Sequence, residues 1–121
     1  MHYQNAPFKE YKLIRCINGG VFDVVIDLRK TSKTFLKHFS IELTSDNLLS
    51  VLIPEGFAHG FQTLKKNTSL IYHHTNYFDS KSSAGINYND PNIEIKWPLK
   101  PYNISEKDLN YPLLNKNFKG I

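Results

Sequence analysis

The 121-residue sequence contains one cysteine, one methionine and one tryptophan. A lone Cys16 in the apolar stretch "LIRCING" has no partner for an internal disulfide, so the chain is not a disulfide-stapled scaffold and a reducing cytoplasm is its expected location. No apolar run approaches the ~18 residues that a membrane span requires. No charged-then-apolar leader precedes residue 2 either, so a soluble, unexported protein without a membrane partner is expected. Helical periodicity is almost missing. Blocks of like charge are missing too. Fifteen Lys and Arg against 11 Asp and Glu give a formal charge of +4, scattered along the chain. That balance lacks the basic stripe of a nucleic-acid binder and fits an anionic small molecule equally well.

What is present is 40% hydrophobic residues, with seven Tyr and eight Phe, the composition of a folded domain with an aromatic core. A chain of this length fits a single domain, 1–121, and can bury roughly two thirds of its unfolded surface. Short β-branched and aromatic runs punctuated by Gly, Pro, Asn and Asp recur throughout, which is an all-β pattern. Strands are expected at 11–17, 21–29, 34–43, 49–54, 60–64 and 69–78. "NGG" at 18–20 predicts a hairpin between the first two, because Asn-Gly supplies the positive φ of a type I′ turn. In the second of them, Asp23, Val25 and Asp27 share one face and Phe22, Val24, Ile26 and Leu28 the other, giving an acidic and an apolar side. "TSDNLL" (44–49) and "SEKDLN" (105–110) read as single helical turns capped by Thr44 or Ser45 and by Ser105. Strands of this length and spacing imply a sandwich or barrel.

Several residues are candidates for chemistry. In "PEGFAHGF" (54–61), His59 sits between Ala58 and Gly60 on a turn-forming string, where it either binds a ligand or satisfies a carbonyl. Tyr72 in "SLIYHHTNYF" is a candidate proton donor or a core tyrosine with its hydroxyl at the rim. His73 and His74 point to opposite faces of a strand and cannot jointly chelate a metal, so no metal site is expected. Lys12 opens an apolar strand, either as an inward functional cation or as an edge lysine reaching water. Asp108 stands three residues after Ser105, the spacing of a capping box.

Together, "HYQ", "KLIRCINGGVFDVVIDLRK", "IPEGFAHGFQTL", "IYHHTNYF", "NYNDPNIEIKWP" and "ISEKD..YPLL" follow one family's order and spacing. The chain resembles the dTDP-4-dehydrorhamnose 3,5-epimerases from residue 2 to about residue 114. The resemblance implies a double-stranded β-helix, the jelly-roll barrel of the cupin superfamily, with a short C-terminal helical turn. It implies an epimerase inverting C3, C5 or both in a nucleotide-linked 4-keto-6-deoxy sugar, with no metal and no cofactor.

Residue by residue, the resemblance makes His2 the general base, Asp108 its carboxylate partner and Tyr72 the proton donor on the opposite sugar face. It makes Lys12 the support of the enolate oxygen and His59 a substrate ligand. Lys107 matches a substrate-contacting lysine, and Phe78 an aromatic ring stacked on the nucleobase. Members of the family carry strands ahead of "HYQ", so the resemblance implies a domain shortened at its start, with "MHYQ" as the interior of a family strand. It also implies a homodimer, expected through one sheet carrying "YKLIRCI" and "VFDVVIDLR", whose edges and apolar surface need cover. Two other readings stand beside the epimerase. One is a sugar-nucleotide 3,4-ketoisomerase, which begins with the same deprotonation, and the other is a remnant that binds sugar nucleotide without turnover.

Overall fold

Alternation of side chains along the strands decides the architecture. In Lys12–Asn18 the residues Lys12, Ile14 and Cys16 are buried and those between them are exposed, so this strand has one covered face. Gly20–Asp27 is buried at nearly every position, so it has two. A computed structural model, which describes residues 1–121, shows how both are satisfied. Eight strands form in chain order: β1 (His2–Gln4), β2 (Lys12–Asn18), β3 (Gly20–Asp27), β4 (His38–Thr44), β5 (Ser50–Ile53), β6 (Phe57–Thr63), β7 (Ser69–His74) and β8 (Ser83–Gly85). One helical turn, α1 (Glu106–Leu109), follows. The strands make two antiparallel sheets, one ordered β4-β3-β6-β1-β8 and one ordered β5-β2-β7.

The hairpin expected at "NGG" is not formed. β2 pairs with β5 and β7, while β3 pairs with β4 and β6, so both edges of each strand are taken and the turn between them is a corner from one sheet to the other. Gly19 has the positive φ, 78°, that the motif requires. A Cβ there would lie 2.5 Å from Thr68 Oγ1 and 2.9 Å from Thr68 Cα, because the corner between β6 and β7 packs directly against it. Gly19→Ala is therefore expected to destabilise the fold by about 2 kcal/mol, from the left-handed backbone and the clash together. Urea denaturation checks this, and Gly20→Ala, where the nearest contact is 3.3 Å, should cost clearly less.

The acidic side of β3 is as buried as its apolar side. Val21 and Val25 point between the sheets, into a core with Ile14, Cys16, Leu43 and Ile53. Val24, Ile26 and Leu28 face the other way, where Ile86, Ile93, Leu114, Phe118 and Ile121 from the chain after β8 cover them. Asp23 and Asp27, each 1% exposed, thus stand on the inter-sheet face. Asp27 is held below the usual carboxylate range by hydrogen bonds from Arg29, against the opposing effect of burial, with further help from Ser32 and Thr34. These bonds organise the turn over 32–37, so β4 begins at His38 rather than at residue 34.

The helical turn expected at 44–49 is replaced by a side-chain-built turn. Thr44 N–H donates to Asn47 Oδ1 at 3.1 Å and Asn47 N–H to Thr44 Oγ1 at 3.0 Å, the local alternative to helical hydrogen bonds that these residue types offer. The expected turn at 105–110 does form, as α1, with Ser105 as its N-cap.

Candidate active site

Strand register brings the candidate residues together. His2 is opposite His59 in the β1–β6 pair, and His59 is opposite Val25 in the β3–β6 pair. Since Val25 faces the second sheet, both imidazoles do too. From that second sheet, Lys12 and Tyr72 project back, because Lys12 is opposite His74 and Ile14 opposite Tyr72. Between the sheets lies a cavity of about 560 Å³, lined by His2, Lys12, His59, Tyr72 and Asp108, with Trp97 and Tyr102 on its wall. That volume suits a small organic ligand.

His2 Nε2 pairs with Asp108 Oδ1, and the His2 ring meets Tyr111 edge-on at 5.3 Å. Asp108 also serves the helix. Its N–H donates to Ser105 Oγ at 3.1 Å, and that hydroxyl donates to Asp108 Oδ2 at 2.7 Å. The cap thus turns one carboxylate oxygen toward the helix start and leaves the other for His2. Burial works to raise the Asp108 pKa, but hydrogen bonds from Ser105 and His2 overcome it and hold the group below the usual carboxylate range. Burial lowers the His2 pKa from its ordinary value, and the bond to Asp108 opposes this without cancelling it. His2 is therefore a neutral imidazole at neutral pH, held by a carboxylate, which is the form in which it can accept a proton.

Lys12 is an inward cation and not an edge lysine, being 8% exposed, with Nζ 3.4 Å from Glu10 Oε1. Tyr72 packs between His59, at 6.0 Å, and His74, at 5.6 Å. It belongs to the rim of the inter-sheet core as well as to the cavity. Burial, with a smaller effect of Asp23, raises its pKa well above the ordinary tyrosine value, so its hydroxyl keeps its proton at neutral pH. His59 is buried, and its Nε2 is 2.8 Å from Asp23 Oδ2.

Asp23 joins the site through this contact, a role that its position in the sequence does not reveal. The sequence shows only an acid on the same face as Val25 in an otherwise apolar strand, which is costly to bury without a partner. Phe78 and Lys107 are not in the cavity lining. Phe78 is 73% exposed, and Lys107 Nζ stands 6.0 Å from its ring centroid and 5.9 Å from that of Tyr111.

A sequence profile described as dTDP-4-dehydrorhamnose 3,5-epimerase matches residues 1–116. The chain belongs to the dTDP-4-dehydrorhamnose 3,5-epimerase family. It is 41% identical over 110 residues to the family enzyme of Shigella flexneri, covering 91% of this chain and 61% of that protein. It is 42% identical over 115 residues to the one of Sinorhizobium fredii, covering 94% and 59%. Its fold is similar to the crystal structure of the Bacillus anthracis epimerase with TDP and PPi bound, with a TM-score of 0.91, 39% identity and coverage of 93% and 65%. A similar match, with a TM-score of 0.88, 37% identity and coverage of 93% and 60%, is to the Legionella pneumophila enzyme in complex with dTDP-4-keto-L-rhamnose. The chain thus spans about 60% of the length of these epimerases. The two sheets are the cupin-like jelly roll of the epimerase structures, as the resemblance implied. No helix is long and apolar enough to cross a membrane.

Proposed function

We propose that the chain epimerises a nucleotide-linked 4-keto-6-deoxy sugar, converting dTDP-4-dehydro-6-deoxyglucose to dTDP-4-dehydrorhamnose by inversion at C3, C5 or both. The observation that carries this reading is the placement of a carboxylate-held imidazole on one sheet and of an ammonium and a phenol on the other, around one cavity. His2 removes the proton from the carbon next to the ketone. The electron pair moves onto the ketone oxygen, and the Lys12 ammonium stabilises the enolate that forms. Tyr72 then delivers its proton to the same carbon from the other face, restoring the ketone with inverted configuration. Solvent resupplies Tyr72 and takes the proton from His2. Lys12 supplies the positive charge, so the sequence of steps calls on no metal and no cofactor.

His59, fixed by Asp23, hydrogen-bonds the sugar in this reading. Phe78 and Lys107 meet the nucleotide only where it extends beyond the cavity mouth. Asp23→Asn should raise the KM for the sugar nucleotide about tenfold, because loss of the charge-assisted bond frees the His59 ring, with kcat reduced much less. Steady-state kinetics check both quantities.

The direct test of the reaction class is proton NMR of the product from dTDP-4-dehydro-6-deoxyglucose. Retention of the ketone at C4 with changed couplings at C3 or C5 supports epimerisation. A ketone moved to C3 would replace the reading with the ketoisomerase. None of the relatives named above is described as a ketoisomerase.

The cytoplasm is the location that fits a free, buried Cys16 and an activated-sugar substrate. A homodimer remains part of the proposal, but not through the sheet first expected, because "YKLIRCI" and "VFDVVIDLR" lie in different sheets and β3 is covered on both faces. The surface that fits a second copy is the outer face of β5-β2-β7, where Leu13, Ile17, Leu52 and Ile71 are exposed. Sedimentation equilibrium should show a dimer that Leu52→Lys weakens, and a monodisperse monomer at high concentration contradicts it.

A further inference from the structure

Glu10 lies in the connection from β1 to β2, and the steps above do not use it. Its side chain is 8% exposed, less than that of the lysine it faces. Oε1 is 3.4 Å from Lys12 Nζ, and Oε2 is 2.7 Å from His74 Nδ1. The His74 ring in turn lies nearly parallel to Tyr72, at 5.6 Å and 11°. One carboxylate therefore touches the cavity's ammonium and, through a single ring, its phenol.

The segment that carries Glu10 is itself held in place. Tyr11 N–H donates to Thr75 Oγ1 at 2.9 Å, Thr75 N–H donates to the Tyr11 carbonyl at 3.2 Å, and Asn76 Nδ2 donates to the Lys9 carbonyl at 3.3 Å. A buried ion pair of this kind is a poor source of stability, because desolvation offsets most of the attraction. It is a good source of position. A lysine side chain carries its ammonium on four rotatable bonds, and a small misplacement of a catalytic group costs rate steeply. One of the three ammonium N–H groups directed at Glu10 leaves two for a ligand oxygen.

We propose that Glu10 is a positioning residue, which holds the Lys12 ammonium where the enolate oxygen forms and locks the His74 ring against Tyr72. The proposal rests on the roles given to Lys12 and Tyr72 above. Glu10→Gln keeps the size of the side chain and an acceptor for His74 while removing the charge that anchors Lys12. It should lower kcat about tenfold with KM changed less than about twofold, because the enolate and not the bound ketone carries the charge that Lys12 meets. Glu10→Asp, which restores the charge, should recover most of the loss. In a Lys12→Met background the same Glu10→Gln change should alter kcat less than about twofold, since its effect passes through Lys12.

A lowered melting temperature with unchanged kcat in Glu10→Gln, or an equal loss in both backgrounds, would overturn the proposal. A second readout is independent of turnover. In ¹⁵N NMR of the whole chain, the Lys12 ammonium protons should exchange slowly with water in the wild type and in Glu10→Asp, and fast in Glu10→Gln. If the wild type turns over no substrate, the epimerase reading fails while this comparison still decides the role of Glu10. An ammonium signal unaffected by Glu10→Gln contradicts it.

Discussion

Replacing His2 by Asn should abolish solvent-deuterium incorporation into dTDP-4-dehydro-6-deoxyglucose, with an expected loss of about 10³ or more, and leave the fold intact. His2 faces the cavity with Asp108 behind it, whereas the other imidazole in the lining, His59, is buried and bonded through Nε2 to Asp23. A positioned general base contributes about 10²–10⁴-fold, and exchange cannot begin without one. Folding should survive because the side chain of His2 is 43% exposed and its strand is held by backbone pairing to β6 and β8. The pH profile of the wild type should carry the same signature. Burial lowers the His2 pKa, and the base works only when unprotonated. Exchange should therefore rise with pH through a midpoint below the ordinary histidine value of about 6.5. In Asp108→Asn the bond that opposes the effect of burial is lost, so the residual rate should have a still lower midpoint.

Tyr72→Phe should give the opposite partition. Deuterium exchange on the face served by His2 should persist within about tenfold of wild type, while formation of the inverted product should fall by about 10² or more. In the proposed reaction the phenol is needed only for the proton delivered from the far face, and its raised pKa keeps that proton in place at neutral pH. The ring itself packs between His59 and His74, and Phe preserves those contacts. Following exchange and product in the same NMR tube separates the two variants. If His2→Asn and Tyr72→Phe lose exchange and inversion to the same extent, the two residues do not hold opposite ends of one proton-transfer path.

The strands were legible in the sequence wherever alternation was strong, as in β2 and β7, and so was the Ser105 cap. Sheet membership was not. The Asn-Gly-Gly at 18–20 carries the local chemistry of a hairpin, and Gly19 does take the positive φ, but the choice between hairpin and corner is made by β5 and β7 claiming both edges of β2. For the same reason the two-faced burial of β3 was hidden, because the cover on its outer face comes from residues about 90 positions away, such as Leu114 and Phe118. β8 is three residues long and carries too little pattern to be read.

Within the site, spacing alone left His59, Tyr72, Lys12 and Asp108 open between functional and ordinary roles. The register of four strands and a helix cap gathers them, and none of these relations is local. Asp23 and Glu10 were missed because a single acid in a strand or a loop says nothing until its partner is known. Those partners lie 36 positions away for Asp23 and 64 for Glu10 with His74.

In the proposed reaction this cavity removes and returns a proton next to the ketone of an activated 4-keto sugar. Its most direct measurement is NMR of dTDP-4-dehydro-6-deoxyglucose incubated with the wild-type chain in deuterium oxide. Deuterium should appear at C3, C5 or both, together with the inverted product. Saturable binding of the sugar nucleotide with no deuterium at either carbon, even after a family-like N-terminal segment is added ahead of Met1, would contradict it.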